Sequence, residues 1–97
     1  TAERFPAERA LELGLLNEIV EEDALIERAY AWARRITVNG PLAVQATKES
    51  VMRGLALSLD EAYALESEIS KRVFQSEDAV EGPKAFAEKR KPSFQAR

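Results

Sequence analysis

The sequence has 97 residues and a formal net charge of −3, with 45% hydrophobic and 32% charged residues. These proportions are typical of one globular domain or a piece of one, and the negative charge disfavours a nucleic acid partner because phosphate contacts need a basic surface. The sequence contains neither cysteine nor histidine, which excludes disulfides, a Ser-His-Asp triad and a zinc site built from those ligands. No apolar run reaches the length of a membrane span, so we expect a cytoplasmic protein without a membrane partner.

The first part of the chain carries signals for a short helix and then an extended segment. Pro6 suits the first turn of a helix, where a missing N–H costs no intrahelical hydrogen bond. Gly14 is placed as a C-terminal cap in the left-handed conformation. Residues 15–20 (LLNEIV) alternate loosely and end in β-branched side chains, which predicts an extended segment that could form one short strand. A lone strand needs a sheet edge, and no other segment of the sequence resembles a strand.

Three longer helices are predicted next. Asp23 can cap the first of them, Asn39-Gly40-Pro41 ends it and starts the second, and the second ends near Gly54. Ser58 and Glu61 form a capping box for the third, in which each side chain bonds the other residue's backbone N–H. The apolar positions at helical spacing in the three helices are Leu25, Ala29, Trp32, Ala33 and Ile36, then Leu42, Ala43, Ala46, Val51 and Leu55, then Ala62, Leu65, Ile69 and Val73.

The fifth helix is expected to begin after Ser76, which can cap it. Its acidic start and basic end complement the helix dipole, whereas Gly82 and Pro83 weaken it, and Pro83 is expected to bend the helix or to delay its regular part. The acidic residues at its start are Glu77, Asp78 and Glu81, and the basic residues at its end are Lys89, Arg90 and Lys91. The acidic residues are better explained as N-terminal helix charges than as metal ligands, because the spacing of a calcium loop is absent. We therefore predict an all-α chain with five helices and no metal site.

Few side chains are candidates for chemistry. Glu61, Glu66 and Glu68 lie on one helix and could include a general acid, but a solvated helix face is the more common fate of such carboxylates. Phe86 stands three residues before Lys89, which would place both on one helix face. A ring beside a cation suits a nucleotide, with the base near the ring and a phosphate near the ammonium. Core packing for Phe86 and dipole compensation for Lys89 are the alternatives.

The sequence resembles the C-terminal part of the crotonase superfamily, the enoyl-CoA hydratases and isomerases. Each short motif is weak alone, but the ordered set is specific and covers nearly the whole chain. The matching segments, in the order of the family, are residues 5–20 (FPAERALELGLLNEIV), 40–43 (GPLA) with Thr47-Lys48, 59–62 (LDEA) with Glu66, Ser76-Glu77-Asp78 with Glu81-Gly82, and 85–94 (AFAEKRKPSF).

The resemblance implies a fold and a role. It implies that residues 1–22 are the end of a ββα spiral core, otherwise absent here, and that residues 23–97 are the C-terminal helical (trimerisation) domain. The family hydrates 2-enoyl-CoA thioesters in fatty-acid metabolism, with two glutamates and two oxyanion-binding N–H groups that lie upstream of this segment. No catalytic residue is therefore expected here. Phe86 and Lys89 match positions that contact the CoA of a neighbouring subunit.

The resemblance also implies partners. They are an acyl-CoA thioester substrate and further copies of the chain, as a trimer or a dimer of trimers in the full enzyme. No separate cofactor is implied, because CoA belongs to the substrate. The motifs do not separate hydratase from isomerase chemistry. The alternative is a stand-alone helical protein-interaction module without catalysis, while a helical DNA-binding domain is disfavoured by the net charge of −3.

Overall fold

The computed structural model describes residues 2–97, and this part of the chain is helical without a strand. The five predicted helices are present: α1 (Ala7–Glu12), α2 (Leu25–Thr37), α3 (Pro41–Gly54), α4 (Leu59–Phe74) and α5 (Glu77–Ala87). A single 3₁₀ turn, Glu22–Ala24, precedes α2. The all-α prediction is therefore confirmed. The chain divides into two units, Thr1–Ala33 and Arg34–Arg97.

Helix α1 ends as the sequence predicts. Gly14 has a φ of +74°, in the left-handed region, and the N–H groups of Gly14 and Leu15 donate to the carbonyls of Leu11 and Ala10, both at 2.9 Å. This pair of bonds is a Schellman motif, which satisfies carbonyls that the helix end leaves without donors. Pro6 lies one residue earlier than predicted, as the N-cap residue of α1.

The segment after α1 pairs with no strand within residues 2–97. A side chain of the segment contacts α2 instead. Glu18 accepts hydrogen bonds from the Arg28 guanidinium at 2.8 Å and from the Trp32 indole N–H at 2.9 Å. Both donors belong to α2, so this carboxylate fixes the extended segment beside that helix. Asp23 lies inside the 3₁₀ turn, so its predicted position as the residue that caps α2 is wrong.

In the second unit, most helix boundaries follow from local signals. Pro41 occupies the first turn of α3 as predicted. The Asn39 side-chain amide donates to the carbonyls of Arg35 and Ile36 at 2.9 and 3.0 Å, which caps the preceding helix end. The capping box of α4 is complete: the Ser58 backbone N–H donates to Glu61 at 2.9 Å, and the Ser58 hydroxyl accepts from the Glu61 N–H at 3.4 Å.

Helix α5 begins at Glu77, directly after its cap. The Ser76 hydroxyl accepts a hydrogen bond from the Ala79 N–H at 3.2 Å, as expected. Pro83 lies inside the helix, so the predicted delay of its regular part is absent. A proline at this position leaves the carbonyl of Ala79 without the N–H that a helix normally supplies.

The core of the described residues is small. Helix α3 packs mainly on α4, and α4 also contacts α5. The only buried hydrophobic side chains among residues 2–97 are Ile69 and Ala85, and many large apolar side chains are exposed. No helix within residues 2–97 has the length and apolarity that crossing a bilayer requires.

Replacing Gly82 or Gly14 by alanine should change the free energy of unfolding in opposite directions. A Cβ at Gly82 would lie 3.7 Å from the Phe94 ring, an ordinary contact, so Gly82→Ala should raise the free energy of unfolding by about 1 kcal/mol through helix propensity. Gly14→Ala should lower it by about 1 kcal/mol, because alanine is strained at a positive φ. Urea denaturation followed by circular dichroism measures both, and a loss of stability in Gly82→Ala would contradict the assigned contact.

Candidate functional site

The two predicted contact residues lie at the C-terminal end of α5. Phe86 is the second-last residue of the helix, and its side chain is 86% exposed. Lys89 lies beyond the helix end at Ala87, so the predicted shared helix face is wrong. The turn brings the two residues together instead, since the Lys89 N–H donates to the Phe86 carbonyl at 3.2 Å. Core packing, the alternative for Phe86, is not observed in the described part of the chain.

Lys89 adopts an unusual backbone conformation for a lysine. Its φ is +55°, and the Arg90 N–H donates to the Ala85 carbonyl at 3.0 Å. Helix α5 therefore ends in the same Schellman motif as α1, with lysine where α1 has Gly14. The left-handed region costs an L-residue other than glycine about 1–2 kcal/mol. Such strain persists only where the surrounding structure enforces it.

The next residue, Arg90, is fully engaged within the chain. Its two terminal nitrogens donate to the two carboxylate oxygens of Glu81, the Nη2 bond at 2.9 Å. Its Nε donates to Glu88 at 2.6 Å. Hydrogen bonds to Glu81, and then to Glu88, raise the pKa of the Arg90 guanidinium above its ordinary value. Arg90 therefore serves the structure, and its charge is already matched by carboxylates.

Glu81 links this turn to the helix interior. Besides Arg90, it accepts the Ser93 backbone N–H at 2.8 Å. The hydrogen bonds from Arg90, followed by the one from Ser93, lower the pKa of Glu81 to about 2. The carboxylate is therefore ionised at neutral pH and holds both ends of the segment from Arg90 to Ser93.

The C-terminal strap (residues 88–97) continues along the start of α5. Asp78 is buried, and its carboxylate accepts the N–H groups of Gln95 and Ala96 at 2.6 and 3.0 Å. The Glu77 N–H donates to the Arg97 carbonyl at 2.7 Å. The acidic cluster predicted to be N-terminal helix charges thus also anchors the strap. No metal-binding group of carboxylates occurs within residues 2–97.

Phe94 closes the strap over two glycines. Its ring lies 3.6 Å from the position that a Cβ would take at Gly40 and 3.7 Å from that position at Gly82. Gly40 is the N-cap residue of α3, and Gly82 lies in the middle of α5. The ring therefore packs at the point where these two elements approach the strap.

The three residues of the basic cluster differ in whether their side chains are paired. Arg90 is paired, whereas the side chains of Lys89 and Lys91 make no hydrogen bond or ion pair with the rest of residues 2–97. Lys84 lies near Glu81 and contributes to the lowering of its pKa. The site thus offers an exposed aromatic ring and unpaired ammonium groups, which suit a ligand with a planar base and a phosphate.

The carboxylates considered for acid–base chemistry do not form a catalytic pair. Glu61 is held in the capping box, and the hydrogen bonds from the Ser58 hydroxyl and backbone N–H lower its pKa. Glu66 and Glu68 are exposed. Glu66 lines an open groove between α3 and α4 whose other walls are largely apolar. None of the three is buried, so none lies in the water-excluded environment typical of a catalytic carboxylic acid.

The comparisons with known proteins agree on one family. The model of the enoyl-CoA hydratase/isomerase family matches residues 1–97. Enoyl-CoA hydratase EchA19 of Mycobacterium tuberculosis is 41% identical, and carnitinyl-CoA dehydratase of Proteus mirabilis is 43% identical; the alignments span 100% of this chain but only 36% and 39% of those proteins. A crystal structure of an enoyl-CoA hydratase from M. tuberculosis superimposes with a TM-score of 0.95 at 44% identity, covering 100% of this chain and 38% of that one.

The left-handed lysine gives a test at the site itself. Lys89→Gly should raise the free energy of unfolding by about 1 kcal/mol, because glycine adopts the observed φ without strain. Lys89→Ala is the matched control: it removes the same side chain but keeps the strain, so it should give no gain. Thermal unfolding of the three proteins checks this, and equal midpoints for the glycine and alanine variants would argue against strain at this position.

Proposed function

The chain belongs to the enoyl-CoA hydratase/isomerase family, and from this premise we propose that it is the C-terminal helical segment of such an enzyme. The full enzyme would add water across the double bond of a 2-enoyl-CoA in fatty-acid metabolism. The chain spans 35–39% of the length of the curated relatives it matches. The activity of a whole enzyme therefore requires residues that this segment does not contribute.

The proposed contribution of the segment to binding is a contact with coenzyme A. The observation that carries it is the exposed Phe86 ring three residues from the unpaired Lys89. An exposed aromatic ring can cover a nucleotide base, and an ammonium group is a point charge for a phosphate. Arg90 is not proposed as a ligand residue, because Glu81 and Glu88 already engage its guanidinium.

Catalysis is proposed to lie outside this segment. Hydration of an enoyl thioester needs an acid, a base and N–H donors that stabilise the enolate oxygen. The carboxylates of the segment are exposed or engaged in caps and in the strap. CoA enters as part of the substrate, so the proposal includes no separate cofactor. It also places the enzyme in the cytoplasm.

The segment is also proposed to join copies of the enzyme, as a trimer or a dimer of trimers. The support is its exposed apolar surface, including Val51, Met52 and Phe74, which are 57%, 64% and 78% exposed. Burying such side chains stabilises an assembly by about 1.5–3 kcal/mol each. The same surface would suit the alternative, a helical interaction module without catalysis. A coding sequence upstream of Thr1 with ββα repeats would favour the enzyme.

Binding of free CoA to the enzyme that carries this segment tests the proposed contact. Lys89→Ala should weaken binding about tenfold, because it removes a charge-assisted hydrogen bond to phosphate. Lys91→Ala is the control, since it removes an equally unpaired cation from the same strap, and should change affinity less than twofold. Calorimetric titration measures both. Equal losses in the two variants would indicate general attraction of an anion and not a specific contact.

The isolated 97-residue chain should self-associate and lack hydratase turnover. Self-association follows from the exposed apolar side chains, and the missing turnover from the absence of a buried carboxylate pair among residues 2–97. Sedimentation at micromolar concentration and the loss of enoyl absorbance measure the two properties. A clean monomer would count against the assembly role, and clear turnover would show that the segment holds catalytic groups.

A further inference from the structure

We propose that Glu81 is a positioning residue for coenzyme binding, acting through Arg90 and the Ser93 backbone to hold Lys89 in its left-handed conformation. This inference rests on the proposed contact between Lys89 and CoA. It assigns a role to a carboxylate that has the wrong charge to touch a phosphate itself. The coenzyme would therefore depend on an acidic residue that it does not contact.

The backbone hydrogen bonds of the Schellman motif do not by themselves explain why Lys89 adopts a left-handed conformation. Helix α1 and helix α5 end with the same pair of backbone bonds, at 2.9 Å in α1 and at 3.0–3.2 Å in α5. At Gly14 the left-handed conformation costs little, whereas at Lys89 it is strained. An additional constraint at the second site accounts for its persistence. The ion pair of α1, between Arg9 and Glu12, lies before Gly14 and does not enclose it.

The geometry of Glu81 supplies that constraint. Glu81 lies inside α5, six positions before the last helical residue, Ala87, so its backbone is fixed. Its carboxylate receives both terminal nitrogens of Arg90 and the Ser93 N–H, with a side-chain exposure of only 20%. Lys89 is consequently enclosed between the helix end and the clamped Arg90. Its backbone is fixed on both sides while its side chain remains unpaired.

Such an arrangement favours binding by reducing its entropic cost. A lysine whose backbone is already in place loses less conformational freedom when its ammonium meets a phosphate. The backbone of Phe86 is restrained in the same way, because its carbonyl accepts the Lys89 N–H. Releasing the clamp should therefore weaken coenzyme binding even though every candidate ligand group is retained.

A positioning role and a simple electrostatic effect of Glu81 predict opposite changes in CoA affinity when the negative charge of Glu81 is removed. Replacing Glu81 by glutamine removes a negative charge near the proposed phosphate site, which by Coulomb attraction alone would strengthen anion binding. A weaker affinity in Glu81→Gln therefore reports lost positioning. Glu88→Gln is the matched control: Glu88 also bonds Arg90, but only through Nε, and it does not hold Ser93. The control removes the same charge and leaves the two-nitrogen clamp.

The experiment is a double-mutant cycle on the full enzyme, with free CoA as the probe and calorimetric titration as the measurement. Glu81→Gln should raise the Kd about threefold to tenfold, and Lys89→Ala about tenfold. The double variant Glu81→Gln/Lys89→Ala should match Lys89→Ala alone, because Glu81 acts through Lys89. Glu88→Gln should stay within twofold of the parent. With a 2-enoyl-CoA substrate, Glu81→Gln should raise KM and leave kcat unchanged.

The outcomes distinguish this inference from the proposed function. If Lys89→Ala leaves the Kd unchanged, the CoA contact fails and the inference fails with it. If Lys89→Ala weakens binding but Glu81→Gln has no effect, or its effect simply adds in the double variant, the contact stands and the positioning role is overturned. Arg90→Lys is the second route should Glu81→Gln unfold, since it breaks the two-nitrogen clamp at constant charge. It should show the same coupling to Lys89, and additivity there would equally overturn the role.

Discussion

The hydrogen bonds of one carboxylate, Glu81, determine how the second unit ends. Without them, Asp78 and the Glu77–Arg97 pair would still hold the far end of the strap, but the segment from Arg90 to Ser93 would lose its bonds to α5. With them, residues 88–97 lie along α5, and Asp78 receives the far end of the strap. Phe94 then packs against Gly40 and Gly82. The Glu81 bonds at one end and the Asp78 bonds at the other therefore define the path of the strap along α5.

The sequence was informative wherever the decisive contacts are local. Gly14, Pro41 and the Ser58–Glu61 box define helix ends through bonds that span no more than five residues, and all three were predicted correctly. The family resemblance was equally recoverable, because it depends on the order of short motifs. Local signals failed at Asp23, where a 3₁₀ turn takes the place of a simple cap. A cap residue shows that a helix starts nearby, but not which kind of helical turn comes first.

The sequence could not reveal the clamp, because its partners are nine and twelve residues apart. An acidic start and a basic end also fit dipole compensation, and that explanation requires no direct contact between the two clusters. The structure shows contact as well: Glu81 meets Arg90, and Glu77 meets Arg97. The left-handed φ of Lys89 was equally hidden, since a lysine at a helix end gives no sign of it. The anchor of residues 15–20 by Glu18 depends on a separation of ten and fourteen residues for the same reason.

Three adjacent basic residues therefore differ in what they can do. Arg90 has a planar fork that matches a carboxylate through two bonds, and the chain uses it in that way. Lys89 and Lys91 cannot form such a fork, and their ammonium groups remain without ion pairs within residues 2–97. An arginine in place of Lys89 could compete for Glu81, and a glycine would relieve the strain but carry no charge. A strained lysine next to a paired arginine thus keeps one cation available while the other holds the backbone, which is the arrangement we propose for binding a phosphate at this turn.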